Sequence, residues 1–379
     1  MNYLERSVVH KKIVWLERSN RYMLVEIPAF DVIKMIGDGL TREETIILCR
    51  KSYGLPKSRA TQFVDEITHL IEIQEYKPNL ELESIDHSVQ ITIPEKFSSR
   101  KNYLIKGSIY SVEYETEELE FLIHPKIANL EEVTNRCADH QIQVFLDKEL
   151  TILRVNGTVI GQWKPENINY FTGKFSMELL NLIYGKCDKD WLGVFHASAM
   201  AKGDQCMLFL GGSGSGKSTI SALLMANGFD LLADDFVPVD GRSSEVFFFP
   251  AAISVKKNAL DYLIPIYPQL ASAKEFYYQG LDKTVRYLPP LHQFENQSIS
   301  YPCKALVFVK YKNNSGLTIQ EMAQDTAFKL LVPDSWISPI QENASRFLDW
   351  FLKIPCYQLT YSDNKLMLET IDKLFRDDL

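Results

Sequence analysis

Residues 206–219 read CMLFLGGSGSGKST, and a little further on residues 231–235 read LLADD. Within the first stretch, Gly211 through Ser218 satisfy the phosphate-loop pattern of glycine, four residues, then Gly-Lys-Ser/Thr. The residue types follow from the task. Glycines let consecutive backbone N–H groups point into one concavity, and the helix that follows adds the partial positive charge of its N-terminus. The context agrees, because QCMLFL is an apolar strand leading in and STISALLMANGF a helix leading out. Gly211, Gly212, Ser213, Gly214, Ser215, Gly216, Lys217, Ser218 and Thr219 are therefore the candidate phosphate ligands, with Lys217 reaching the terminal phosphates and the Ser218 hydroxyl on Mg²⁺. LLADD is an apolar strand that delivers carboxylates at its end, as a strand-borne aspartate does for Mg²⁺ in nucleotide enzymes. Two adjacent aspartates can divide the work, one holding the metal while the other takes a proton from an incoming hydroxyl. ATP and Mg²⁺ are the expected substrate and cofactor.

Outward from this pair, GVFHASAMAKG and EVFFFPA read as strands, and His196 falls inside the first of them. The C-terminal part alternates a strand (KALVFVKY), two helices (QDTAFKLLV and NASRFLDWFLKI), a strand (CYQLTY) and a last helix (NKLMLETIDKLFRDDL). Residues 101–190 are rich in strand-like runs, among them NYLIKGSIYSVEYET and IQVFLDKELTILRV, and are read as strands added to the nucleotide-binding part. Residues 77–100 form a polar linker.

The first 76 residues read as a unit of their own. SVVHKKIVWLERS and RYMLVEI are β-branched and aromatic-rich runs that suggest two or three strands. Three helical segments follow, and the second opens with Thr41 and Glu44 in capping-box spacing and stops at Gly54 and Pro56. Strands followed by three short helices make a small winged-helix-like module. Such modules often bind DNA, but residues 1–80 carry twelve Lys/Arg against eleven Asp/Glu, and the third helix alternates its charges. No nucleic-acid partner is expected.

Composition supports the same exclusion. The 379 residues carry a formal net charge of −8, whereas a nucleic-acid surface calls for a basic footprint. Six scattered cysteines form no CxxC pair, so neither a disulfide framework nor a zinc site is expected and a reducing compartment fits. No run approaches the roughly eighteen uninterrupted apolar residues of a membrane helix. The expected location is the cytoplasm, with no membrane partner.

The set of His196, GGSGSGKS and LLADD resembles the HPr kinase/phosphorylase family over roughly residues 190–255. That resemblance implies a fold related to ATP-dependent phosphoenolpyruvate carboxykinase. It also implies Asp234 as the base that activates the acceptor hydroxyl, Ser218 and Asp235 on the metal, and His196 beside the reacting groups. In some kinases of this wider group a segment like KTVRYLPP supplies a lid cation, here Arg286 or Lys283. Thr219 stands where the bacterial HPr kinases usually carry glutamate. The oligomeric habit of those kinases leaves a homo-oligomer as a further expectation.

Residues 1–76 resemble the PqqD-like, or RiPP recognition element, domain, in which a leader peptide adds a strand to the sheet edge and rests on the third helix. The corresponding surfaces are Tyr22 to Glu26 and the helix with Phe63, Ile67 and Leu70. The expected fold is thus mixed α/β: a winged-helix-like PqqD-type domain over 1–76, the linker 77–100, and an HPr kinase-like phosphate-loop domain over 101–379. The expected function is a kinase that phosphorylates a Ser/Thr hydroxyl on a ribosomally made (RiPP) peptide whose leader the first domain binds. A kinase for a small molecule such as free serine, and a non-catalytic nucleotide-binding regulatory module, stay open as alternatives.

Overall fold

The run KKIVWL buries four consecutive side chains, Ile13, Val14, Trp15 and Leu16. Successive side chains of a strand point to opposite faces, so this strand must be covered on both sides. The computed structural model, which describes residues 1–76, 91–278, 283–291 and 300–378, identifies the two covers. Strands β1 (Tyr3–Val8), β2 (Lys11–Leu16) and β3 (Arg21–Glu26) form an antiparallel sheet in the order β1-β2-β3. Helices α1 (Ile27–Gly37), α2 (Arg42–Tyr53) and α3 (Lys57–Tyr76) follow. The capping box is formed: Glu44 N–H donates to Thr41 Oγ1 at 3.3 Å and Thr41 N–H donates to Glu44 Oε2 at 2.8 Å. Val14 and Leu16 pack against Phe30, Ile33, Ile46, Val64 and Ile67 of these helices.

The opposite face is covered from far along the chain. The described residues divide into two compact units, one from Met1–Glu83 with Glu321–Cys356, the other from Ser84–Gln320 with Tyr357–Leu379. Tyr22 meets the rings of Phe328 and Phe347 edge-on at 6.2 and 5.4 Å, Arg6 pairs with Asp349 at 2.7 Å, and Lys11 pairs with Asp325 at 3.0 Å. The sequence reading places 321–356 in the 101–379 block, whereas by contact this segment belongs with the first unit. It holds α8 (Gln324–Leu331), the short strand β20 (Ser335–Ile337) and α9 (Gln341–Lys353), whose apolar stripes need a surface that the three N-terminal helices leave bare. The linker expected over 77–100 lies outside the described residues as far as residue 90.

The second unit is mixed α/β with several sheets. Strands β4 (Ser99–Ile105), β5 (Ser108–Tyr114), β6 (His140–Asp147), β7 (Leu150–Val155) and β8 (Thr158–Trp163) pair in sequence order. The β5–β6 pair is parallel because α4 (Glu117–Ile127) makes the crossover between them. Three hairpins turn on Lys106-Gly107, Lys148-Glu149 and Asn156-Gly157, each pair at positive φ, the turn that matches strand twist. Helix α5 (Ile168–Tyr184) packs on β7 and β8.

A larger sheet holds β9 (Trp191–Phe195), β10 (Ser198–Lys202), β11 (Gln205–Leu210), β12 (Asp230–Asp234), β13 (Val237–Asp240), β14 (Glu245–Phe247) and β18 (Ser300–Tyr311) in the order β12-β10-β11-β18-β14-β13-β9. Beside β18 lies β21 (Cys356–Tyr361), and beside that β19 (Leu317–Glu321). Helices α6 (Lys217–Met225), α7 (Leu260–Leu263) and α10 (Asn364–Arg376) accompany it. A third sheet, β15-β17-β16, consists of β15 (Ile253–Lys256), β16 (Phe276–Tyr278) and β17 (Lys283–Leu288). Among the described residues no helix is long and apolar enough to cross a membrane.

Candidate active site

Strand β11 is buried along almost its whole length and runs parallel to β18, so the chain leaves the sheet at Leu210 with its direction fixed. The loop then curls tightly. Gly211 sits at φ 145°, where a Cβ would lie 2.8 Å from the Val309 carbonyl oxygen, and Gly216 sits at φ 102° with the Tyr361 hydroxyl 3.0 Å from a Cβ position. Neither place accepts a side chain. Ser215 N–H donates to Gly212 O at 3.1 Å, and Tyr311 N–H donates to Ser215 O at 2.9 Å, which ties the loop to the end of β18. Helix α6 begins directly at Lys217, whose buried ammonium donates to the carbonyl of Gly211 across the loop.

The two aspartates part company at the end of β12. Asp234 is the last residue of the strand and faces Ser198 of β10 in register. Its carboxylate is 3% exposed and accepts from the Ser198 hydroxyl, from Ser218 Oγ at 3.3 Å and from the Ser254 N–H at 3.3 Å. Burial and the neighbouring Asp235 charge push its pKa up to about 7, against the pull of Ser198, Ser254 and the Lys217 charge. Asp235 leaves the strand at φ 65° with its N–H donating to Ala197 O at 2.9 Å. That left-handed turn swings its side chain into the cavity lined by the loop, Lys256, Lys283, Tyr311 and Tyr361, where it stands 3.9 Å from His196 Nδ1.

His196 is not inside a strand, as its apolar neighbours suggest, but on the corner between β9 and β10, where the chain passes from the β13 partner to the β11 and β12 partners. The corner leaves its ring 42% accessible beside Asp235.

Other sequence expectations change at this point. The metal pair expected from Ser218 and Asp235 is not brought together among the described contacts, since Ser218 meets Asp234 instead. The left-handed backbone of Asp235, just past the strand end, is the reason: it turns that side chain away from Ser218. Arg286, expected as a lid cation, does not line the cavity. Its guanidinium donates to Leu270 O at 2.5 Å and Ala271 O at 2.9 Å and pairs with Glu275 at 3.2 Å, which fixes β17 to the segment before β16. KTVRYL is accordingly a strand, paired on both edges. The cations that do line the cavity are Lys217, Lys256 and Lys283, and Lys256 donates to Ser213 Oγ at 2.8 Å.

Sequence reasoning missed Ser198, Ser254 and Lys256. The first had a readable signal, a serine two residues after His196 on a strand beside LLADD; the other two had none, because β15 meets the loop only through tertiary pairing.

The residues fit a Mg²⁺-nucleotide. Ser218 and Asp234 bring one hydroxyl and one carboxylate together, a small donor set of the kind Mg²⁺ takes while keeping waters and phosphate oxygens. Around the same loop the hydroxyls of Ser215, Ser254 and Tyr361 are buried without a hydrogen-bond partner among the described residues, polar groups that a bound ligand or its waters would satisfy.

Among solved structures, the chain is similar to the Hpr(Ser) kinase/phosphatase from Coxiella burnetii, at 12% identity and a TM-score of 0.24, over 48% of this chain and 94% of that one. No protein-family model matches the sequence, and no curated protein matches it.

Proposed function

We propose that the protein is a Mg²⁺-ATP-dependent kinase that phosphorylates a serine or threonine hydroxyl on a ribosomally made peptide, with the leader of that peptide held by the first unit. One observation carries the phosphotransfer half: a glycine loop on a helix N-terminus, with Ser218 on Asp234 and with Asp235 turned into the cavity that the loop lines. In this reading Ser218 and Asp234 hold the metal, which would neutralise charge on the phosphate oxygens. The loop N–H groups, the α6 N-terminus, Lys217 and Lys256 hold the phosphates. Asp235 takes the proton of the acceptor hydroxyl, reversing the roles that the sequence resemblance implies for the pair. His196 lies near enough to orient the Asp235 carboxylate or the acceptor. Lys283 takes the place of Arg286 as the cation beside the transferring phosphoryl group.

Lys217→Ala tests the donor half. Loss of one charge-assisted contact of about 2–3 kcal/mol should weaken nucleotide binding by about 30- to 150-fold in a calorimetric titration. An affinity within threefold of the wild type would remove Lys217 from the phosphates.

The peptide half is supported by the first unit. Strand β3 pairs only with β2 among the described residues, leaving its outer edge open to an added strand, and Leu70 and Ile73 of α3 stay partly exposed. Deleting residues 1–76 is a poor test, because it strips the cover from Phe328 and Phe347. Competition is cleaner. Labelled ATP, Mg²⁺ and a leader-core peptide encoded beside the gene should give a labelled peptide, excess leader alone should suppress the labelling, and Ile73→Asp should raise KM for the leader-bearing peptide only. Label confined to free serine or another hydroxyl metabolite would sink the peptide reading.

A further inference from the structure

Strand β15 lies along the candidate site like a ruler. At its end, Lys256 donates to Ser213 of the phosphate loop at 2.8 Å. In its middle, Ser254 N–H donates to Asp234 at 3.3 Å. Just before its first residue, Ala252 N–H donates to the backbone carbonyl of Lys126 at 2.8 Å. At roughly 3.3 Å per residue, Ala252 is about 13 Å from Lys256. The order along the ruler is phosphate loop, Asp234, backbone of Lys126. The Lys126 backbone therefore lies beyond Asp234 as seen from the phosphate loop.

Lys126 occupies the last turn of α4, a helix that starts on a Thr116 cap and carries Glu117, Glu118 and Glu120 in its first turn. The residue keeps solvent-accessible surface, yet its ammonium is surrounded by protein atoms. That desolvation, with the Lys283 charge, pushes its pKa below the ordinary lysine value, against the pull of Asp235. No ion pair or side-chain hydrogen bond holds Lys126 or Lys283 among the described residues. Lys126 and Lys256 thus both draw on the Asp235 carboxylate, and the Lys283 charge opposes both. The charge of a nucleotide triphosphate is already met by the loop N–H groups, Lys217 and Lys256, so the cation at the far end of the ruler is left for a different anion.

Resting on the kinase reading above, we infer that Lys126 receives an anionic group of the acceptor, so that the phosphorylated hydroxyl stands next to a carboxylate: in a peptide, a serine or threonine flanked by aspartate or glutamate. Asp235 alone would repel such an acceptor. Lys126 on the acceptor side cancels that repulsion and selects for it.

The test offers three short peptides with one serine flanked on both sides by aspartate, by asparagine or by lysine, together with labelled ATP and Mg²⁺. With the wild-type full chain, kcat/KM for the aspartate peptide should exceed that for the asparagine peptide by about tenfold, mainly through KM. Lys126→Glu should invert the order in favour of the lysine peptide, while its affinity for Mg²⁺-ATP and its melting temperature stay at the wild-type values. A purely structural lysine at a helix end would lower the melting temperature and leave the charge preference alone. Equal use of the aspartate and asparagine peptides, or a preference that survives Lys126→Glu, would overturn the inference and leave the kinase reading standing. No label on any peptide, with Mg²⁺-ATP still bound, would overturn both.

Discussion

Asp235→Asn is expected to lower the rate of phosphoryl transfer by about a thousandfold while leaving Mg²⁺-ATP affinity within about threefold of the wild type. Both halves follow from geometry. Asp235 reaches the cavity through its left-handed backbone and keeps its carboxylate 40% accessible, so it can meet an acceptor hydroxyl. It makes no contact with Ser218, so asparagine there need not disturb the donor side. A general base typically contributes 10²- to 10⁴-fold, and an amide cannot accept the proton. Single-turnover labelling with pre-bound Mg²⁺-ATP separates the two halves of the claim. If Asp235→Asn transferred at the wild-type rate, the base would have to be sought elsewhere, and the roles implied by the sequence resemblance, with Asp234 as base, would regain the advantage.

The second large effect concerns stability against pH. Asp234 has its pKa raised from an ordinary carboxylate value to about 7, chiefly by burial and then by Asp235. The folded protein therefore binds this proton more tightly than the unfolded chain does. The free energy that depends on it is fully present below about pH 4, and it is lost progressively as the pH climbs from about 4 to about 7. Above that, the ligand-free protein carries a buried, ionised Asp234 beside a second carboxylate. Asn at this position keeps an oxygen for the Ser254 N–H and an NH₂ group for Ser198, yet carries no charge. Asp234→Asn without nucleotide should thus be more stable than the wild type at pH 8, by up to about 4 kcal/mol, and no more stable at pH 4.

Bound Mg²⁺-nucleotide reverses the comparison, because a cation on Ser218 and Asp234 favours the ionised form. The wild type should then gain more stability than Asp234→Asn from added Mg²⁺-ATP at pH 8. Calorimetric titration near pH 6.5 in buffers of different ionisation enthalpy should also register proton release on binding. A variant whose stability relative to the wild type is the same at pH 4 and pH 8 would show that Asp234 does not carry the linkage.

The phosphate loop, its strand and its helix were legible because their geometry is local. Gly211 to Ser218 and the flanking apolar runs dictate a strand, a tight turn and a helix start within about fifteen residues, and no distant partner is needed to choose among alternatives. The caps of α2 were legible for the same reason, as was the order of strands, two or three of them, before three helices in the first 76 residues.

What only the tertiary structure decided is everything that depends on pairing between distant segments. Asp234 and Asp235 are equivalent as letters; registry with Ser198 on β10 buries one, and a left-handed residue turns the other out. Arg286 and Lys283 lie on one strand, yet carbonyls from residues 270 and 271 claim the first and leave the second in the cavity. The helices between 321 and 356 announce an apolar face but not the sheet that receives it, and Lys126 carries no local sign that its carbonyl meets Ala252 at the start of β15. Periodicity tells a segment that it must bury one side, and the partner that buries it is fixed only by which surfaces remain uncovered once the rest of the chain has folded.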